Sequence, residues 1–277
     1  MTAIANQQQA EAWNGWEGRL WADHPERYNG MMAAFDAPLF AAADIEDGHT
    51  VLDVGCGAGL TTRLAARKAG SGHALGIDIS APLVERARRD AAAENITNIR
   101  FEQGDAQVHP FAGPGFDVVL SRGGVMFFAD LVAAFGHLRG ALAPDGRLTF
   151  LGPRSGGADS AYARATAALT PYLREPSPAA LGMGSLLAPG RITEVLTAAG
   201  FHDIEITPVD ADMGFGADIP AATDFVFSMA PIQHNLRNVD ADSIAGLRDR
   251  VQDALGEFET PQGVRIPGGV WIVTAGC

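Results

Sequence analysis

Apolar positions along this chain fall into short, strand-length runs separated by longer stretches with helical spacing. Val51–Val54, His73–Ile79, Asn98–Gln103, Phe116–Arg122 and Leu142–Phe150 read as five strands, Phe201–Val209 alternates as a sixth, and Gly269–Thr274 is a last one. Helices are expected from Leu60, around Asp159–Leu169, and near Arg191–Ala199 with Gly200 as its C-cap. Two more are expected over Pro220–Ala230, stopped by Pro231, and from Asp240 to Phe258. In the last of these, Ile244, Leu247, Val251, Leu255 and Phe258 are spaced for one buried face. Near the start, Trp13, Trp16, Leu20 and Trp21 have spacings that fit one helical face. Strands alternating with helices predict an α/β, doubly wound sheet.

The chemistry concentrates between the first strand and its helix, where Asp53, Gly55, Gly57 and Gly59 alternate with other residues. Glycines there permit a tight turn and remove the Cβ atoms that keep a ligand away from the backbone. The helix N-terminus beyond offers unpaired N–H groups to an anionic group. A dinucleotide site wants a third glycine at position 60, which is Leu60. The acid at 53 repels a pyrophosphate but suits an ammonium group. Cys56 reads as a small filler in this turn. Asp78, nineteen residues past Gly59, ends the second strand where an acid can accept ribose hydroxyls, with Ile79 against the adenine.

On these residues the sequence resembles the class I, Rossmann-like S-adenosylmethionine (SAM)-dependent methyltransferases, over about residues 45–152 and more loosely over 191–209 and 269–275. It is closest to the small-molecule branch that holds ubiquinone and menaquinone C-methyltransferases and natural-product tailoring enzymes. The resemblance implies a mostly parallel seven-stranded sheet with an antiparallel last strand. It assigns Gly104, Asp105 and Ala106 to the adenine, with Asp105 on the amino group and the Ala106 backbone on a ring nitrogen. It assigns Ser121 to the methionine end of the cofactor and Tyr28 to the cofactor carboxylate. SAM, with S-adenosylhomocysteine (SAH) as product, is the implied cofactor. The N/D-P-P-Y/F and Pro-Cys motifs of enzymes that methylate nucleic acids and proteins are missing.

The expected organisation is one domain over 1–277. It comprises an N-terminal helical lid (1–44), a SAM-binding core (45–152), cap insertions (153–190 and 210–262), and segments 191–209 and 263–277 that complete the sheet. Both insertions leave from carboxyl ends of strands, so they project over the reacting methyl. Arg122 is a candidate to orient an acceptor carboxylate, and Met126, Phe127, Phe225 and Met229 are candidates for an apolar acceptor wall. His24 and His234 are the candidate bases. Methyl transfer is an in-line displacement that depends mainly on positioning, and the methylated atom, O, N or C, is left open. SAM binding without transfer, as a binding module or SAM-assisted cyclase, is the alternative, and a nicotinamide oxidoreductase a further one.

Composition narrows the partners. A net charge of −13 argues against nucleic acid. No apolar run reaches bilayer length, the N-terminus has no secretory pattern, and two cysteines make no disulfide framework. A cytoplasmic enzyme on a small-molecule acceptor is expected. No metal motif such as H-E-x-x-H or paired Cys-x-x-Cys is present, so no metal is expected.

Overall fold

The computed structural model describes residues 3–111, 113 and 115–277. Its sheet contains β1 (Thr50–Val54), β2 (His73–Asp78), β3 (Ile99–Gln103), β4 (Phe116–Arg122), β5 (Leu142–Pro153), β6 (His202–Gly216), β7 (Glu259–Thr260) and β8 (Gly263–Gly276). The order is β3-β2-β1-β4-β5-β8-β6, with the two-residue β7 paired only to the start of β8. β1 to β5 run parallel, and β8 lies antiparallel to both β5 and β6. Because helices cover both faces, β1 and β4 are buried almost without interruption.

Among the described residues twelve α-helices accompany the strands. Four precede the sheet: α1 (Gln7–Asn14), α2 (Trp16–Asp23), α3 (Pro25–Met32) and α4 (Asp36–Ala43). The crossovers carry α5 (Leu60–Ala69), α6 (Ala81–Ala93) and α7 (Leu131–Ala141). The remainder are α8 (Ala161–Ala165), α9 (Pro189–Ala198), α10 (Ile219–Ser228), α11 (Ala230–Leu236) and α12 (Ala241–Leu255). No helix among the described residues is long and apolar enough to cross a membrane.

Among the described residues four hydrophobic clusters hold these layers, the smallest packing Val84, Ala87 and Ala91 of α6 against Phe101 of β3. On one sheet face Leu52, Phe150 and Val273 meet Phe135 and Leu138 of α7 and Ile192, Val195 and Leu196 of α9. On the other, Val51, Val118 and Ile272 meet Leu39 of α4 and Ala65, Ala66 and Ala69 of α5. The third lies beyond the shared β5–β8 ladder, where Phe215 of β6 and Val264 and Ile266 of β8 meet Leu169, Phe225, Val226, Leu247, Val251 and Leu255.

Four local expectations need correction. The sixth strand runs to Gly216 and the last begins at Gly263, so both ends of the expected insertion 210–262 are at least partly strand. Asp210 to Gly216 pair with 264–269, beyond the ladder that β5 shares with β8, which stops at Pro153 and Val270. Glycines and acids there conceal a two-stranded arm from pattern reading. Pro231 opens α11 at a first-turn position and terminates nothing, since proline's missing N–H is harmless there. The expected helix at 159–169 is one short α8 followed by a tighter turn at Ala167–Leu169. Gly15, in extended backbone, separates α1 from α2, so the tryptophans share no single face. Trp13 and Trp21 meet edge-on at 5.4 Å, whereas Trp16 is exposed.

Candidate functional site

The chain leaves β1 into a turn in which Gly55, Gly57 and Gly59 all have positive φ, at 68°, 53° and 78°. Gly55 also approaches Gly124 so closely that a Cβ on it would lie 2.7 Å from the Gly124 Cα. A Cβ on Gly57 would instead meet nothing within 4 Å, because it faces open space. That space is a single cavity of about 1280 Å³ along the carboxyl edge of the sheet.

At one end of the cavity, Gly55, Cys56, Gly57, Asp78 and Ile79 line it together with Gly104, Asp105 and Ala106. Asp78 Oδ2 accepts the Gly57 N–H at 2.8 Å and Oδ1 that of Ser80 at 2.9 Å, leaving each oxygen a further lone pair. Burial pushes the Asp78 carboxyl up to about 6, against those two amides that lower it. Burial likewise raises the Cys56 thiol, with the Asp78 and Asp53 charges adding to it, so Cys56 is no thiolate. Asp105 accepts the N–H groups of Ala5 and Asn6 on Oδ2 and that of Gln107 on Oδ1. Only about one of its acceptor positions stays free.

The N-terminal segment is tied across this end. Asn6 Nδ2 donates to the Phe127 carbonyl at 2.6 Å, and Ser80 Oγ donates to that of Trp13 at 2.7 Å. Asn14 Nδ2 donates to the Ile79 carbonyl at 3.0 Å, and its Oδ1 accepts from the Ala81 N–H. Glu17, fully buried, accepts from Ser177 Oγ at 2.7 Å and from the Ala179 N–H at 3.1 Å.

At the other end, Tyr28, Arg122, Met126, Phe127 and Met229 line the cavity. Tyr28 stacks on Trp21 at 3.7 Å; its buried hydroxyl has no hydrogen-bond partner, and burial raises its pKa. Arg122 is paired with Asp36 at 3.0 Å and donates a second hydrogen bond to Asn29 Oδ1. Sequence reasoning missed Asn29 and Asp36, since nothing local marks partners 93 and 86 residues from Arg122. Both ions are only 14% and 17% exposed. Arg122→Ala therefore leaves Asp36 without its cation, and an expected loss of roughly 2–4 kcal/mol should appear in urea unfolding. Restoration by Arg122→Met with Asp36→Leu distinguishes that unpaired charge from lost packing.

Five expected site residues lie off the cavity wall. Asp53 is fully buried beneath the turn, where Oδ2 accepts from Thr61 Oγ1 at 2.8 Å and Thr62 Oγ1 at 2.6 Å, so it anchors the start of α5. Burial raises its pKa. Ser121 is also fully buried, its hydroxyl donating to the Val54 carbonyl and accepting the Gly124 N–H, while Gly123 and Gly124 reach the wall in its place. Phe225 belongs to the third cluster. His24 is nearly half exposed beside Glu26, at 3.5 Å, and His234 sits in the last turn of α11. Among the described residues no histidine lines the cavity, so neither candidate base is placed at its wall.

Comparison with known proteins agrees with this geometry. Residues 45–179 match a family model described as a methyltransferase domain. The chain is 32% identical over 191 residues to a nocamycin O-methyltransferase of Saccharothrix syringae, covering 63% of this chain and 67% of that one. It is 37% identical over 107 residues to an aklanonic acid methyltransferase of Streptomyces, covering 38% of this chain and 49% of the relative. The chain thus spans from about half to two thirds of the length of these two relatives. In fold it resembles phosphoethanolamine N-methyltransferase 2 of Haemonchus contortus, solved with S-adenosyl-L-methionine, at a TM-score of 0.59 and 17% identity. That likeness covers 99% of this chain and 60% of the other.

Proposed function

This chain belongs to the SAM-dependent methyltransferase family, and we propose that its cavity holds SAM at the glycine-rich end and a small, partly apolar acceptor under the cap. The observation that carries this reading is one continuous cavity of about 1280 Å³ joining the glycine turn to the cap. A drug-sized ligand occupies a pocket of about 300–1,000 Å³, so this one has room for two molecules.

The residues present fit the cofactor. The missing Cβ of Gly57 leaves the backbone open to it, and the spare lone pairs of Asp78 suit a pair of ribose hydroxyls. The one free acceptor position of Asp105 suits the adenine amino group, beside Ala106 and Ile79. The unpartnered Tyr28 hydroxyl is a donor for the cofactor carboxylate. When bound, SAM supplies an electrophilic methyl group on a sulfonium that leaves readily.

The chain's own residues position and exclude. Arg122, held by Asp36 and Asn29, fixes the rim of the acceptor end, and Met126, Phe127 and Met229 present apolar surface there. Orientation alone can supply up to roughly 7–11 kcal/mol of the barrier. The lid helices, tied to Ile79, Ser80, Phe127 and Ser177, exclude water from the cofactor end. No histidine base takes part in this account.

Titration calorimetry with SAH and SAM tests the reading, with NAD as control. Micromolar binding of the SAM pair and none of NAD is the expected result. Binding of NAD, or silence from both SAM and SAH, overturns it.

A further inference from the structure

Six of the seven methionines line this one cavity. Met31 and Met32 come from the end of α3, Met126 from the turn after β4, Met183 from the loop before α9, Met213 from β6, and Met229 from the residue before α11. Five separated stretches of chain thus deliver thioethers to the same space. The seventh, Met1, lies outside the described residues.

Their surroundings leave them room to move. Met126 is buried, but its Cε stands over Gly123, where a Cβ would be 3.7 Å away. Met213 lies against Gly268, whose missing side chain makes the space that its sulfur fills. Tyr162 Oη points at the Met229 sulfur at 3.5 Å. Met31, Met32, Met213 and Met229 are half-buried, packing against the core on one side while lining the open volume on the other, and Met183 is exposed.

Methionine is unbranched, with three rotatable bonds, and its sulfur contacts aromatic ring edges favourably. A wall of valine or isoleucine is stiff and selects one shape, whereas a methionine wall repacks around several. We propose that these six side chains are the specificity-determining surface of the acceptor end, and that the acceptor is a flat, apolar, polycyclic aromatic molecule accepted in more than one ring size. This rests on the methyltransferase reading above.

The test uses the full chain labelled at the methionine methyl carbons, with signals assigned by single Met→Leu variants. SAH is added first, and its own binding, or lack of it, bears only on the parent reading. With SAH present, 2-naphthoate (two rings), anthraquinone-2-carboxylate (three rings) and decanoate (an aliphatic chain) are titrated in turn. Both aromatic probes are expected to shift most of the six signals by ring current, upfield for methyls over a ring face and downfield for those at a ring edge, and to bind more tightly than decanoate. The double variant Met213→Leu/Met229→Leu is expected to keep its SAH affinity while the three-ring to two-ring affinity ratio changes about fivefold or more, on the order of 1 kcal/mol. Unmoved methionine signals with SAH bound, decanoate as the tightest ligand, or an unchanged ratio each overturn the proposal.

Discussion

Asp78→Ala is expected to weaken SAH binding by more than tenfold, about 1.5–3 kcal/mol, while the fold survives. The carboxylate already holds the Gly57 and Ser80 amides, so the substitution also loosens the turn that the ligand meets. The loss expected for hydrogen bonds to a charged acceptor is about 1.5–3 kcal/mol. Calorimetry together with circular dichroism checks it, and an unchanged dissociation constant with an intact fold removes Asp78 from the ribose role.

The same residue predicts a pH dependence of opposite sign for binding and for stability. Burial raises Asp78 from 3.8 to about 6 in the folded protein. The folded chain then holds this proton more tightly than the unfolded one, so the group's contribution to stability is full below about pH 4 and lost as pH rises through 6. Hydroxyl donors of a ligand need the ionised acceptor. SAH affinity is therefore expected to be steady above pH 7 and to fall about tenfold per unit below 6. Asp78→Asn should flatten that profile, and a wild-type profile already flat from pH 5 to 8 argues against the assignment.

The second large effect is expected at Gly55. Gly55→Ala forces a side chain into positive φ, at roughly 1–2 kcal/mol, and drives a Cβ to 2.7 Å from the Gly124 backbone, at roughly 1–3 more. A destabilisation of about 2–5 kcal/mol is expected in urea unfolding, with loss of SAH binding. Gly124→Ala isolates the close approach, because Gly124 has an ordinary φ of −92° while its Cβ would lie 2.7 Å from the Val54 carbonyl oxygen. Gly57→Ala isolates the ligand side. Its Cβ meets no protein atom, so stability should fall by only about 1–2 kcal/mol while SAH affinity drops. Equal stability losses at all three glycines would refute this division.

The cofactor end was legible in the chain because its parts are local. A tight turn needs glycine within a few residues of the strand, and an acid at a strand end needs only the strand's length to place it. Gly55, Gly57, Asp78 and Ile79 therefore line the cavity at the positions their spacing suggested, and Asp105 and Ala106 line it where the resemblance implied. The doubly wound α/β architecture followed from strands alternating with helices, whereas the parallel core and the antiparallel last strand followed from the resemblance. The side chains of Asp53 and Ser121 are off the cavity wall because a motif fixes position along a strand but not which way a side chain turns; both point into the layer beneath the turn.

What lies beyond the motif was decided only by the tertiary structure. The arm of β6 and β8 forms by pairing of backbone that carries acids and glycines, invisible to a hydrophobic pattern. Gly124 matters because Gly55 touches it across two strand ends. Arg122 is held by Asn29 and Asp36, and Asp105 by Ala5 and Asn6, pairs whose members are about ninety to a hundred residues apart. The sequence by itself determined a Rossmann-like sheet with a glycine turn and its acids, since those depend on local geometry and periodicity. The contacts of the N-terminal helices, the cluster around α10 and α12, and the gathering of six methionines around one cavity depend on which distant segments meet, and only packing settles that.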